Sequence, residues 1–223
     1  MKYDISALGN ALVDTQYMVD YEFLESIGLE ADSMTLASAE EQAPIIKKLI
    51  DMGSESVSDC GGSATNSLIA ASNYGSKCHH VCRVSDDADG KKYLESLRSA
   101  GVDHIGVSSK ESDMPTGKCL ILVTPDAKRT MSSMLGVSAF LAKSDIRFDV
   151  IDDSKIFYIE GYMVTSEENF GAVISVLEHL KDKNTLKALS LSDAGIVNAF
   201  KDKFDQILSV SYTHLRAHET SGY

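Results

Sequence analysis

Strand-like and helix-like segments alternate along this chain, and that alternation limits the folds open to it more than any other feature. Residues 3–8 form a short apolar strand pattern ending at Gly9-Asn10, and residues 39–52 have helical spacing, with Ile45, Ile46, Leu49 and Ile50 on one face. Residues 63–74 form a second helix, rich in Ala and Ser and stopped by Gly75. Residues 79–85 follow as strand, 88–100 as a helix closed by Gly101, and 102–107 as strand. The pattern continues with a strand over 156–160, a helix over 167–183, a strand over 186–191 and a helix over 196–208. Strands separated by helices of roughly 10 to 15 residues favour parallel pairing, because each helix carries the chain back across the sheet face. The expected fold is α/β, a doubly wound, mostly parallel sheet flanked by helices.

One region departs from this rhythm. Residues 117–124 (GKCLILVT) and 128–135 (KRTMSSML) are strand-like runs joined by Pro125-Asp126-Ala127, a turn signal. Residues 13–20 and 34–36 are extended in pattern as well. Segments at about 13–36 and 116–135 are therefore expected to build a small antiparallel β sheet apart from the main one, where a lid would sit. With no internal repeat and no low-complexity linker, residues 1–210 are read as one α/β domain that includes these lid segments.

Composition removes several function classes. The 223 residues carry 21 Lys and Arg against 33 Asp and Glu, a net charge of −12, and no basic run. Phosphate backbones require clustered cations, so a nucleic-acid partner is not expected. No apolar stretch approaches the roughly 18 residues of a membrane span. Met1-Lys2-Tyr3-Asp4 puts an acid where a signal peptide would place its apolar run, which leads us to expect a cytoplasmic protein. Four cysteines, Cys60, Cys78, Cys82 and Cys119, are too few for a disulfide framework in a chain of this length. Cys78, His80 and Cys82 would share one face of a strand, but no second ligand pair accompanies them; they are read as buried strand residues and no metal is assigned.

Several catalytic signatures are absent. There is no GxGxxG fingerprint, no Walker A loop, no GxSxG elbow and no HExxH pair. Three segments carry candidate chemistry instead. Asn10 and Asp14 follow the first strand, at the carboxyl edge where parallel sheets bind ligands, and could exchange hydrogen bonds with sugar hydroxyls; a surface turn suited to Asn and Asp is the alternative. Gly61-Gly62-Ser63 leads into a helix with Asn66 in its first turn. Its paired glycines would let the backbone approach a ligand, with Ser63 as N-cap; a glycine turn before a tightly packed helix is the alternative. Glu160 ends the apolar strand KIFYIE, where an acid is costly unless bonded or solvated, so a solvated strand end is the alternative.

Taken together, GNALVD, GGSATNS, the segment Val84-Ser85-Asp86-Asp87-Ala88-Asp89-Gly90, PTGKCLILVTPDAKRTM and FYIEGYMVTS resemble the PfkB (ribokinase-like) family of sugar and nucleoside kinases, and within it the adenosine kinase branch. The resemblance runs from Met1 to about Ser209 and rests on five motifs in order. It implies a ribokinase-like fold and ATP-dependent phosphoryl transfer to the primary hydroxyl of a ribosyl substrate. Free-sugar (ribose or fructose) phosphorylation and non-catalytic sugar or nucleoside binding are the alternatives. It also implies that Asn10, Asp14, Gly61, Gly62, Ser63 and Asn66 contact the substrate ribose, that Glu160 is a sugar-contacting acid, and that Arg129 sits on the lid hairpin. Ser85 departs from the glycine found in many members.

The same resemblance implies ATP and Mg²⁺ as cofactors and a catalytic Asp in a Gly-Ala-Gly-Asp run, with an Asn-x-x-Glu element for metal and phosphates. Neither string occurs here. The nearest, Leu191-Ser192-Asp193-Ala194-Gly195, has the wrong order. The catalytic residue is thus left unassigned, and the chain is expected to hold the acceptor half of a kinase site, incomplete at its C-terminus. Residues 211–223 lose the resemblance and all apolar period, and are expected to be a non-native tail. Oligomeric state is left open.

Overall fold

The computed structural model describes residues 1–109 and 114–210. In chain order the elements are β1 (Tyr3–Leu8), β2 (Leu12–Met18), α1 (Tyr21–Ile27), β3 (Met34–Leu36), α2 (Ala39–Asp51), β4 (Ser56–Gly61), α3 (Ser63–Asn73), β5 (Cys78–Ser85), α4 (Ala88–Ser99) and β6 (Val102–Ser109). They continue with β7 (Gly117–Val123), β8 (Arg129–Met134), α5 (Phe148–Asp152), β9 (Ser154–Ile159), α6 (Glu167–His179), β10 (Leu186–Leu189), α7 (Ala194–Ala199) and α8 (Lys201–Val210). The segment 211–223, expected to be non-native, lies outside the described residues.

The main sheet has the order β10-β9-β1-β5-β6, and every pairing in it is parallel. Period-two alternation sends Leu8, Val81, Phe157 and Ile159 to one face, against Val173, Val176 and Leu177 of α6 and Phe204 and Ile207 of α8. Ala7, Cys78 and Cys82 go to the other face, against Leu68 of α3 and Tyr93 and Leu97 of α4. His80 is fully buried among them, between the Ala7 carbonyl and Thr65 Oγ1, and burial pushes its pKa down to about 3. Among the described residues no three His, Cys, Asp or Glu side chains form a group able to hold a metal ion.

The second sheet corrects the antiparallel expectation. Its order is β3-β8-β7-β2-β4; only β2–β4 and β7–β8 are antiparallel, whereas β2–β7 and β3–β8 are parallel. The hairpin turn joins only β7 to β8. The two parallel pairs, β2–β7 and β3–β8, are connected through long excursions, so the path through the main sheet, not a local turn, sets their direction. Three further differences are local. Residues 56–61 are a strand with mostly exposed side chains, β4, which leaves no apolar alternation to detect. The extended reading of 13–20 gives way at Asp20, whose side chain accepts from the Phe23 amide and starts α1. The helix expected over 196–208 is two helices, broken at Phe200.

A polar clamp joins the two sheets. Asp87 caps α4 by accepting from the Gly90 amide at 2.7 Å, and it also accepts from the Thr116 amide at 2.8 Å and hydroxyl at 2.7 Å, just before β7. Thr116 Oγ1 in turn accepts from the Ser85 amide at the end of β5. A Cβ on Gly90 would lie 2.1 Å from the Ser85 carbonyl, so the acidic segment needs its glycine for backbone contact. Asp87→Ala removes the cap and the tie together and is expected to lower stability by about 2 kcal/mol, read as a lower urea midpoint with an unchanged slope.

Candidate functional site

The strand order reverses direction at β1. The chain moves outward from β1 to β5 and β6 on one side and to β9 and β10 on the other, which opens a crevice at the carboxyl ends of β1 and β9. Asn10 follows β1 and Glu160 follows β9; both are about 1% exposed. Asn10 Nδ2 donates to Glu160 Oε1 at 3.3 Å across the crevice, and the Ala64 amide in the first turn of α3 donates to Glu160 Oε2 at 2.9 Å. Glu160 is therefore bonded and buried, not solvated. Burial lifts its pKa to about 7, with these donors opposing the rise and the charge of Asp14 adding to it.

Gly61 and Gly62 are required by close approach. A Cβ on Gly61 would lie 2.1 Å from the Asp14 carboxyl, so that carboxyl rests directly on the Gly61 backbone across the β2–β4 pair. Gly62 has φ of 101° and faces the Asn10 carbonyl, 2.4 Å from where its Cβ would be. Gly62 also corrects the capping expectation: it occupies the N-cap of α3 with no side-chain cap, and Ser63 is the first helical residue. A Ser side chain could not take the positive φ needed there without strain. Burial raises the pKa of Asp14 to about 6, opposed by the positive charge of Arg129.

These residues meet at one cavity of about 390 Å³. Asn10, Asp14, Gly62, Ser63, Asn66, Glu160 and Arg129 all line it, and Gly61 lies beneath Asp14. Its roof is one face of the second sheet: Leu12 and Asp14 of β2, Cys119 and Ile121 of β7, Arg129, Met131 and Ser133 of β8, and Met34 and Leu36 of β3. The opposite face holds Tyr17, Leu120 and Leu122 against Phe23, Leu24 and Leu49 of α1 and α2. Alternation within β7 and β8 is the signal that marks the roof residues once those strands are assigned. Asp32, Ser33, Ser192 and Asp193 also reach the cavity from loops, and Tyr162 and Thr165 from a short 3₁₀ helix (Gly161–Thr165), with no periodicity to single them out. A second hollow of about 490 Å³ lies between α1, α2 and β3, lined by Ile27, Leu29, Pro44 and Ile45 among others. None of the candidate site residues named from the sequence lines it.

Fold and site together define an α/β protein with a ligand crevice at the reversal of a parallel sheet, closed over by a second β sheet. Residues 24–219 match the pfkB family carbohydrate kinase pattern, and the chain belongs to that family. Adenosine kinase of Saccharomyces cerevisiae is 26% identical over 215 residues, 93% of this chain and 62% of that protein. The crystal structure of adenosine kinase from Sinorhizobium meliloti superposes with a TM-score of 0.81 at 27% identity, covering 93% of this chain and 62% of the other. A probable sugar kinase from Rhizobium etli gives 0.80 at 26% identity, over 91% and 60%. The chain thus spans about 60% of the length of the relatives it matches.

A carboxyl with a raised folded pKa binds more protons folded than unfolded. The stability contributed by Glu160 is therefore fully present below its ordinary 4.5 and is lost as pH rises through about 7. The stability of the wild type minus that of Glu160→Gln is expected to fall across this window, by up to about 1.4 kcal/mol per pH unit, and to level off above it. Urea unfolding at a series of pH values measures this. Gly61→Ala, which drives a methyl into the Asp14 carboxyl, is expected to lower stability by about 1–3 kcal/mol in the same assay.

Proposed function

We propose that this chain forms the acceptor side of a kinase that transfers the γ-phosphoryl group of ATP to the primary hydroxyl of a nucleoside, adenosine being the first candidate. The observation that carries the reading is the two-sided cavity. Its floor, Asn10, Gly62, Asn66 and Glu160, together with the Asp14 carboxyl on the roof strand, offers hydrogen-bond donors and acceptors suited to ribose hydroxyls. Its roof, Met34, Leu36, Ile121 and Met131, offers an apolar surface suited to a flat base. A free sugar would leave that roof without a partner, which favours a nucleoside over ribose or fructose. The adenosine kinases among the relatives support the same choice.

Asp14 is the residue assigned to the ribose hydroxyls. Its carboxyl is held over Gly61 and faces the cavity, and as a carboxylate it accepts two hydroxyl hydrogen bonds. Glu160 has both oxygens engaged by Asn10 and Ala64 and serves to shape the floor. ATP and Mg²⁺ belong to the proposed reaction, but the residues of this chain do not fit them. Neither a Gly-Ala-Gly-Asp run nor an Asn-x-x-Glu element occurs in its sequence, and no step through either group is derived. All four cysteines are free thiols, which supports a reducing, cytoplasmic setting. No helix among the described residues is long and apolar enough to cross a membrane.

Calorimetric titration tests the assignment. Adenosine is expected to bind this chain more tightly than ribose or fructose, and Asp14→Asn to weaken adenosine by about tenfold, some 1.4 kcal/mol. Because Asp14 accepts as a carboxylate, wild-type affinity should rise as pH passes upward through about 6, and the Asn variant should lack that rise. Equal affinity in Asp14→Asn would refute the assignment. The chain by itself is expected to release no ADP from ATP and adenosine in a coupled assay.

A further inference from the structure

The orientation of the Asn10 amide is determined by a buried chain of hydrogen bonds that begins well away from the cavity, on α6. Asn10, Ser138, Glu160 and Asn169 are each at most 1% exposed, so their polar atoms must satisfy one another. Two backbone groups with no freedom of role start the chain. The Leu141 amide can only donate, and it donates to Asn169 Oδ1 at 3.0 Å. The Ser138 carbonyl can only accept, and it accepts from Asn169 Nδ2 at 3.1 Å. The amide of Asn169 is thereby fixed, and its remaining N–H is directed at Asn10 Oδ1, 3.0 Å away. Ser138 acts in the same sense: its hydroxyl accepts from the Ala11 amide at 2.9 Å and donates to Asn10 Oδ1 at 3.1 Å. With two donors on Oδ1, Asn10 must turn Nδ2 toward Glu160 and the cavity.

We infer that Asn169 is a positioning residue for the binding site: it orients the Asn10 amide so that Asn10 presents donors, and no acceptor, to Glu160 and to a ribosyl oxygen. Asn169 does not line the cavity and acts only through Asn10. The inference rests on the ribosyl reading of the cavity for its ligand, but the orientation of Asn10 has a readout of its own. An Asn10 turned the other way would set its carbonyl oxygen against the Glu160 carboxylate and make loss of the Glu160 proton harder.

The test compares Asn169→Asp with Asn169→Ala in the 223-residue chain, following the Glu160 titration by carboxyl-carbon NMR and adenosine affinity by calorimetry. Asn169→Asp keeps the shape but replaces the donor by an acceptor, so Asn10 is expected to turn. The Glu160 midpoint should rise, and adenosine binding should fall by about tenfold or more. Asn169→Ala leaves the Ser138 hydroxyl to hold Asn10 and should change both readouts less, although it removes more atoms. A side chain that merely fills space would give the reverse order of adenosine affinity; the Glu160 midpoint does not separate the two by itself, because the added carboxylate also raises it by like-charge repulsion. An unmoved Glu160 midpoint in Asn169→Asp, or a larger effect of Asn169→Ala, overturns the inference. A wild type that binds no nucleoside or sugar while the Glu160 midpoint still responds overturns the ribosyl reading and leaves the orienting role standing. If neither Asn169 variant folds, the Asn10 side-chain amide protons of the wild type are followed instead: they should shift with the Glu160 titration, because Nδ2 and not Oδ1 faces that carboxyl. Asn10 amide protons that do not respond to that titration would overturn the inference.

Discussion

The hydrogen bond from Asn10 to Glu160 spans the point where the parallel sheet changes direction, and much of the site is arranged around it. A buried carboxyl is tolerated only where donors meet it. Here one donor comes from the loop after β1 and another from the first turn of α3. Meeting both forces β1, β9 and α3 into close approach, which accounts for the small residues around the carboxyl. A Cβ on Gly9 would lie 2.4 Å from the Ala64 side chain and 2.8 Å from Glu160 Oε2. Gly62 must take a positive φ to pass the Asn10 carbonyl. The GN, GGSA and IEG fragments, far apart in the chain, are thus three sides of one contact.

The second sheet adds the other half of the site by the same alternation that builds any strand. Successive residues of β7 and β8 point alternately to the cavity and to α1 and α2, so one sheet supplies both a ligand roof and a small core of its own. The Asp87 clamp between Thr116 and α4 ties this sheet to the main one through a polar junction. Asp14 sits on the roof strand yet rests on Gly61 of its neighbour, so a charged group faces the cavity without leaving the sheet.

Legibility in the sequence followed the strength of each local signal. The main-sheet strands and the helices α2, α3, α4 and α6 could be read because apolar residues recur with a clear period and glycines or caps end them. β4 could not, because Ser56–Gly61 is mostly exposed and polar and its only strand partner among the described residues is the distant β2. Ser63 suited an N-cap by residue type, but the positive φ demanded by the Asn10 carbonyl gives that position to Gly62. The candidate residues themselves lay on recognisable motifs and converge on one cavity. Ser138 and Asn169, which orient Asn10, carry no motif, since their role depends on bonds to residues more than 125 positions away in the chain.

What the sequence determined by itself was the class of fold and the cast of polar residues at the strand ends, because periodicity, glycines and caps act through near neighbours. The tertiary structure decided the direction of the lid strands, the burial of Glu160 and the facing of the Asn10 amide. Each of these depends on groups brought together by the crossing of distant segments. Strand direction is set by where long connections return the chain, and the polarity of a buried amide is set by which donors and acceptors surround it.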